Sequence, residues 1–475
     1  MRPAVLVVAT ARPTFAVEVA RERAEQARAL LQELGADVTG PPGLVMSEDD
    51  LQAARAVIDA DGGVESYDLV VHVCASFSDA SPALALYAGL PSPVVLWAMR
   101  EPGPVGDRLW LNSLCGANLF GHAIIREGGR VRLVYGDPGD AGVEESLGAA
   151  LRGEPSLVAT LEPARGERAA EDTVRAALRS LDGRSVGLVS DAPTGFTPSE
   201  FDPDLLSELF GITTRRWELP DLFDRVDAVD PTERDAELRE AREQRPGLDG
   251  LDDAEVSRHA EVTVALREWE ADAELAALAV RCWPEIPTER GVCPCSSLSR
   301  IADGGTPTAC ERDVYGSVTM LLMQALGSGP TYLVDTVDLE AEANTIRVWH
   351  CGSAASVLAA DPGQATQSTH CNRGIGVAGN FPLRTGRVVL ARLTENVTPH
   401  GVDGLRLLIT AGESVPAPNR FQGNTAEVRV DRDAAALVES LVLEGFPHHT
   451  VIAWNDVRPA LRTAADILGI PVVEY

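Results

Sequence analysis

The sequence predicts an α/β protein: two Rossmann-like open-sheet α/β domains followed by a β-rich, barrel-like C-terminal domain. Three observations point to this. Short β-branched or apolar runs alternate with helix-like stretches through the first two thirds, as in parallel sheets flanked by helices. A polar stretch at 151–170, rich in Gly, Pro, Glu and Arg, interrupts that alternation and reads as a domain junction. Beyond Cys282 strand-like runs recur with turn residues between them. A chain of 475 residues has room for two to four domains of about 150 residues. The expected division is 1–155, then 156–330 carrying Glu311, then 331–475 carrying Asp335 and His449.

Taken in order, Val5–Ala9 is the first strand and Phe15–Leu34 has helical spacing. Asp68–Cys74, Pro93–Ala98 and Arg130–Tyr135 are further strands. No GxGxxG follows the first strand, so a dinucleotide site has no support. A Pro/Gly-rich loop after Trp97 leads to Asn112, Ser113, Cys115 and Gly116. Ligands of open α/β folds sit at strand carboxyl ends, so this loop lines a site or is simply a tight turn and a helix start. Ser185–Ser190 and Thr213–Leu219 are strands around a helix at Asp202–Phe210. Pro231–Val280 reads as helical, with a charged solvated face and His259 on the surface. Arg312–Leu326 is a helix. Thr331–Val334 is a strand ending at Asp335, and Thr345–Trp349 is a strand ending at His350. Val388–Leu393, Leu405–Ile409 and Ala426–Val430 are strands. Helices at Asp433–Glu444 and Arg458–Leu468 and a last strand at Pro471–Glu474 close the chain.

Composition excludes several functions. A net charge of −30 argues against nucleic acid or an acidic membrane as partner. No apolar run approaches the ~18 residues of a membrane span, and the first residues read as a strand rather than a signal peptide, so a cytoplasmic location is expected. All 41 basic residues are Arg. Without a lysine the chain cannot be a pyridoxal phosphate enzyme, a Schiff-base aldolase or a Walker-type kinase. The 8 cysteines, spread through a large chain, are expected to be reduced thiols.

The chemistry concentrates between Cys282 and Gly352. Glu311 precedes a helix, Asp335 closes a strand, and the two are 24 positions apart, which places them at one end of a βαβ-like unit. Two such acids can ligate a hard divalent cation or pass a proton between neighbouring carbons; they can equally be a helix cap and a turn residue. His350 follows 15 positions later, and His448 and His449 form a pair near the end. Adjacent strand residues face opposite sides, so at most one of that pair is expected at a given site. Carboxylates with imidazole suit Mn²⁺ or a related ion better than structural zinc. Cys282, Cys293, Cys295 and Cys310 lack a C-x-x-C pair, which argues against a structural zinc site. No histidine lies near them in sequence to activate a nucleophile.

At these residues the chain resembles a family. ACERDVYGSVTMLLMQALGSGPTYLVD is similar to the metal-binding core of the L-fucose isomerase and L-arabinose isomerase superfamily. CWPE, HCGSAAS and LWAMREPGPVGDRLWLNSLCG are similar to other stretches of that family, and HHTV resembles its arabinose branch. The resemblance implies that Glu311 and Asp335 are both metal ligands and the acid/base pair. His449 becomes the third protein ligand and His350 a ligand as in the arabinose branch. Trp97, Asn112, Trp283 and His448 become substrate contacts. It implies Mn²⁺, or Co²⁺ or Mg²⁺, as the cofactor. It also implies a homo-oligomer, trimeric or hexameric, with sites near subunit interfaces. The Asp and its spacing look like the fucose branch and the histidines like the arabinose branch, which leaves the sugar open.

The expected function is then an aldose–ketose isomerase acting on a free pentose, a 6-deoxyhexose or a modified sugar through an enediolate. A lyase, epimerase or rearrangement enzyme using the same intermediate, and a non-catalytic sugar binder, are the alternatives.

Overall fold

The computed structural model describes residues 2–155, 161–398 and 401–475. The first sheet is parallel, its strands ordered Asp37–Thr39, Ala4–Thr10, Leu69–Cys74, Val94–Ala98 and Val131–Tyr135, with Leu44–Val45 beside the far end of Ala4–Thr10. Strand residues here are apolar on both faces, as they must be when helices cover both. Leu6, Val8, Val70, Val94 and Leu96 pack into one core, and Val5, Val7, Val71, Val95 and Trp97 into the other. The strand order reverses between Ala4–Thr10 and Leu69–Cys74. A doubly wound sheet opens a crevice at the carboxyl ends beside such a reversal, and Arg12 and Phe77 lie there.

The second sheet is also parallel, ordered Thr308–Ala309, Leu275–Val280, Ser185–Val189 and Thr213–Trp217. Its reversal lies between Leu275–Val280 and Ser185–Val189, so its crevice is bordered by Cys282 and Trp283, with Cys310 and Glu311 after the neighbouring edge strand. Leu275–Val280 is therefore a central strand, not the end of a helical region. The helices before it are Pro231–Gln244 and Asp253–Asp272. They are capped by Asp230 and Asp252, whose carboxylates accept first-turn N–H groups. His259 is also not a surface residue. Its ring is fully buried, with Nδ1 2.9 Å from the Ser297 hydroxyl.

The third unit is a closed antiparallel barrel of six strands. Thr345–His350 pairs with Thr331–Glu340 on one side and with Asn424–Val430 on the other. Asn424–Val430 pairs with Gly401–Val415, which pairs with Gly386–Thr398, which pairs with His449–Ala453. His449–Ala453 returns to Thr331–Glu340 and closes the ring. Alternate barrel residues such as Val334, Leu390 and Val428 share a core with the first sheet, while Leu333, Val389 and Leu407 pack under the helices Val314–Ala325 and Arg458–Leu468. The barrel thus lies against both sheets, and the cleft forms where the three meet. Among the described residues no helix is long and apolar enough to cross a membrane.

Candidate active site

A cleft lined by residues of all three units brings Glu311, Asp335, His350 and His448 to one cavity. Asn112, Trp283, Arg12, Phe77, Arg373 and several cysteines complete its wall.

Glu311 sits in a short turn, Cys310–Arg312, in the left-handed region at φ 57°, and Arg312 follows at φ 58°. Two consecutive non-glycine residues there cost about 1–3 kcal/mol each, so neighbours must hold them. Ser199 Oγ donates to the Glu311 carbonyl at 2.7 Å, and the Glu311 amide points at Cys282 Sγ, 3.4 Å away. The turn ejects Glu311 from the helix: Asp313, not Glu311, is the cap of Val314–Ala325, accepting from the Gly316 amide at 2.8 Å.

Asp335 does not end its strand, which runs on to Glu340. The neighbouring strand, however, begins at His449, directly opposite Asp335. The sheet therefore has a rim at Asp335 on that flank, and the pairing brings carboxylate and imidazole together as cross-strand neighbours. His350 lies one residue past Trp349, the partner of Asp335 on the other flank.

Both histidines of the pair reach the site. His448 Nε2 is 3.3 Å and His449 Nε2 3.4 Å from Glu311 Oε2. The alternation that separates neighbouring strand residues does not apply, because His448 lies in the bend before the strand begins. Trp283 Nε1 donates to the other oxygen of Glu311 at 3.0 Å.

Behind His449 stands a buried chain. Arg392 donates to both oxygens of Asp313, at 2.5 and 2.9 Å, and His449 Nδ1 lies 2.8 Å from Asp313 Oδ2. Burial alone would push Asp313 up, but the Arg392 guanidinium and His449 hold it well below the usual carboxylate range. An ionised carboxylate only accepts, so Nδ1 of His449 carries the proton. Burial and the adjacent His448 lower the His449 pKa, outweighing Asp313, Asp335 and Glu311, so the ring is neutral. Its Nε2 is then a bare lone pair facing Glu311 Oε2 and, at 3.3 Å, Asp335 Oδ1. Among the described residues His449 Nε2, Asp335 Oδ1 and His350 Nε2 have no hydrogen-bond partner. Burial pushes Glu311 up, but the His448 hydrogen bond and the surrounding imidazoles reverse this and hold it at about 2. Asp335 is raised, burial outweighing the same imidazoles.

Glu311, His448 and His449 each offer an atom within 4.8 Å of the others, as do Asp335, His350 and His449. Carboxylate oxygens and the Nε2 of His449 converge as the donors a divalent cation requires. Burial lowers His350, but Cys351, Asp335 and Glu311 raise it to about 10, so it would have to release its proton to join them.

Over its full length the chain is similar to proteins named sulfoquinovose isomerase. It is 33% identical over 471 residues to that of Alkalicoccus urumqiensis, covering 99% of both chains. It is 30% identical over 472 residues to that of Priestia megaterium (strain ATCC 12872 / QMB1551), again covering 99% of both. To that of Clostridium sp. (strain MSTE9) it is 31% identical over 465 residues, 98% of this chain and 97% of the relative.

The chain belongs to the sulfoquinovose isomerase family.

It is accordingly a sugar isomerase, an intramolecular oxidoreductase. No protein-family model matches it. Within this family member, Asn112, Trp283 and His448 lie on the cavity wall, whereas Trp97 does not. Strand alternation turns Trp97 into the core on the far face of the first sheet, where its indole donates to the Gly136 carbonyl at 2.9 Å. Asn112 is held at φ 49° by Glu101, whose carboxylate accepts the amides of Trp110, Leu111 and Asn112, and its own Oδ1 is unpartnered.

Several site residues escaped sequence reasoning. Asp313 and Arg392 form the support of His449, yet Asp313 reads as a helix cap and Arg392 as one residue of an apolar strand. The signal was the charge inside the run VVLARL, since a fully buried charge needs a partner. Arg12 follows the first strand, at the carboxyl end where ligands bind. Its guanidinium carbon stacks 4.1 Å from the Trp283 ring centre, and that of Arg373 lies 5.7 Å from the same ring.

Proposed function

We propose that this isomerase converts the aldose sulfoquinovose to its ketose by moving a proton between C2 and C1, with Glu311 and Asp335 as the transferring carboxylates. Mn²⁺, or Co²⁺ or Mg²⁺, is the cofactor, held by Glu311, Asp335 and His449, with His350 as a further nitrogen. The observation that carries this reading is the Nε2 of His449 facing two carboxylate oxygens at 3.4 and 3.3 Å, without a hydrogen-bond partner among the described residues. Two carboxylates and imidazole fit a hard or borderline divalent ion. Such an ion supplies positive charge that acidifies the sugar hydroxyl and offsets negative charge developing on the adjacent oxygens.

The protein residues do the rest. Trp283 and His448 each hold one oxygen of Glu311, which fixes the carboxylate while it faces the sugar. Asp335 is fixed by its strand and faces the same cavity, so one acid can take the C2 proton and the other return it at C1. The Asp313–Arg392 pair keeps the proton of His449 on Nδ1. Asn112 Oδ1, lacking an internal partner, accepts from a sugar hydroxyl. The walls exclude water with Phe77 and Phe196, whose rings pack against His448, and with Trp283, which packs edge-on against Phe196.

The sulfonate of sulfoquinovose is a fixed anion, and it meets Arg12 and Arg373 on the Trp283 ring. Arg12 is already paired with Asp79 at 3.8 Å. Two like charges near one indole ring in a protein of net charge −30 suit an anionic substrate. The resemblance to the L-fucose and L-arabinose isomerase superfamily supports the same chemistry. It also suggests a homo-oligomer, trimeric or hexameric, which light scattering tests.

The experiment is turnover of sulfoquinovose, glucose, L-fucose and L-arabinose by chelator-treated protein with and without Mn²⁺. Metal-dependent ketose formation from sulfoquinovose alone is expected. Arg373→Gln is expected to lower kcat/KM for sulfoquinovose by roughly tenfold or more, as loss of a charge-assisted contact does. Equal rates on glucose and sulfoquinovose would remove the sulfonate from the reading.

A further inference from the structure

Beside the carboxylates lies a second constellation that the isomerase chemistry does not use. Cys295 and Cys351 place their sulfurs 3.4 Å apart, and His370 brings a ring nitrogen within 4.8 Å of both. Cys310 lies equally close to Cys351 and His350. All eight cysteines of the chain are free thiols. Cys282, whose sulfur faces the Glu311 amide at 3.4 Å, also interacts with Cys310 but belongs to neither triad.

These donors come from four places. Cys295 opens the helix Cys295–Asp303, Cys310 precedes Glu311, Cys351 follows His350, and His370 lies in the loop after the barrel's second strand. That loop is pressed onto the second unit: a Cβ on Gly376, at φ 74°, would come within 2.4 Å of the Cys293 amide nitrogen. The absence of a C-x-x-C spacing is thus no obstacle, because the fold, not local sequence, assembles the set.

We infer that Cys295, Cys310, Cys351 and His370 bind a soft divalent cation of the zinc class, tethering the 351–379 loop to the turn that presents Glu311. Three sulfurs and an imidazole are a common tetrahedral zinc donor set. The sulfur separation supports it. A disulfide needs about 2.05 Å, whereas two thiolates on one tetrahedral zinc, with bonds of about 2.3 Å, stand roughly 3.7 Å apart. Ligation takes three thiolates and a neutral imidazole, so the protons that these groups carry before binding are released to solvent. The donors differ in softness from the oxygen-rich set at Glu311 and Asp335, so the two sites select different ions. Cys310 and Cys351 are adjacent in sequence to Glu311 and His350, so an ion there would fix the backbone on both sides of the catalytic cleft.

The test uses the full-length protein, reduced and stripped of metal, titrated with CoCl₂ alone and then with ZnCl₂. About one equivalent of cobalt is expected to give thiolate-to-cobalt charge-transfer absorption with the visible bands of a tetrahedral ion. Zinc should displace it and protect the thiols from a disulfide reagent. The signal should persist in Glu311→Gln and vanish in the Cys295→Ser/Cys351→Ser double variant. Cobalt binding without charge-transfer absorption in the unmutated protein would overturn the inference, as would absorption that survives in the double variant. So would a Cys295–Cys351 disulfide in place of bound metal.

Discussion

Two buried charge systems in this molecule are built on opposite plans. In the helical part of the second unit, Glu237 is ion-paired with both Arg300 and Arg267, and the nearby Arg245 with Asp303. Each anion there faces a guanidinium of the same chain. In the cleft, Glu311 and Asp335 face imidazoles instead, and the buried guanidinium of Arg392 is paired with Asp313 behind them. Burying carboxylates costs several kcal/mol unless they are paired. The first arrangement stabilises the fold. The second gives its carboxylates imidazole neighbours in place of guanidinium partners, and the proposed function uses them for a ligand and a substrate.

The largest expected effect separates the two systems directly. Glu311→Gln is expected to lower kcat by about 10³, the usual scale for losing an acid/base group, with little change in the unfolding midpoint. Glu237→Gln should do the reverse. It takes the buried carboxylate from Arg300, which keeps only the half-exposed carboxylate of Glu240 at 3.1 Å, and is expected to cost about 3–5 kcal/mol in denaturant unfolding while leaving turnover per folded molecule unchanged. Equal behaviour of the two variants would erase the distinction.

Arg392→Met sharpens it further, because this residue belongs to both plans. It leaves Asp313 buried without its cation, so stability should fall by about 3–5 kcal/mol. Divalent-ion affinity, followed by calorimetry, should fall by about 10–100-fold as His449 loses its support. Adding Asp313→Asn should recover stability but not ion affinity.

The smallest effect concerns histidines outside the cleft. His72 and His259 are fully buried, bonded to hydroxyls, and pushed down by burial to about 3. An unfolded histidine titrates near 6.5. Between those values the unfolded chain binds protons that the fold refuses. Their contribution is therefore complete above about pH 6.5 and is lost as pH falls, by up to about 1.4 kcal/mol per pH unit for each ring. Urea unfolding at about pH 5 and about pH 7 should show a shallower pH slope for His259→Gln than for the unmutated chain.

The contrast also explains how much was legible beforehand. The parallel sheets and most barrel strands follow from apolar periodicity, which burial on both faces imposes locally. Glu311 and Asp335 stood out as acids in apolar surroundings. What depends on distant pairing did not. His259 looked solvated because its helix is charged, yet its ring meets Ser297 across the unit. His448 escaped the alternation rule because the strand begins one residue later. Trp97 lies at the right end of its strand but points to the wrong face. The thiol–imidazole group is assembled from segments as far apart as Cys295 and His370, and no local spacing encodes that.

The most direct test of the central claim is sulfoquinovose turnover in D₂O with Mn²⁺, followed by NMR. The account predicts ketose formation with solvent deuterium entering at C1, and neither turnover nor deuterium uptake in Glu311→Gln. Glu311→Gln turning over at the unmutated rate, or a ketose whose hydrogen comes wholly from the sugar itself, would contradict proton transfer by these two carboxylates.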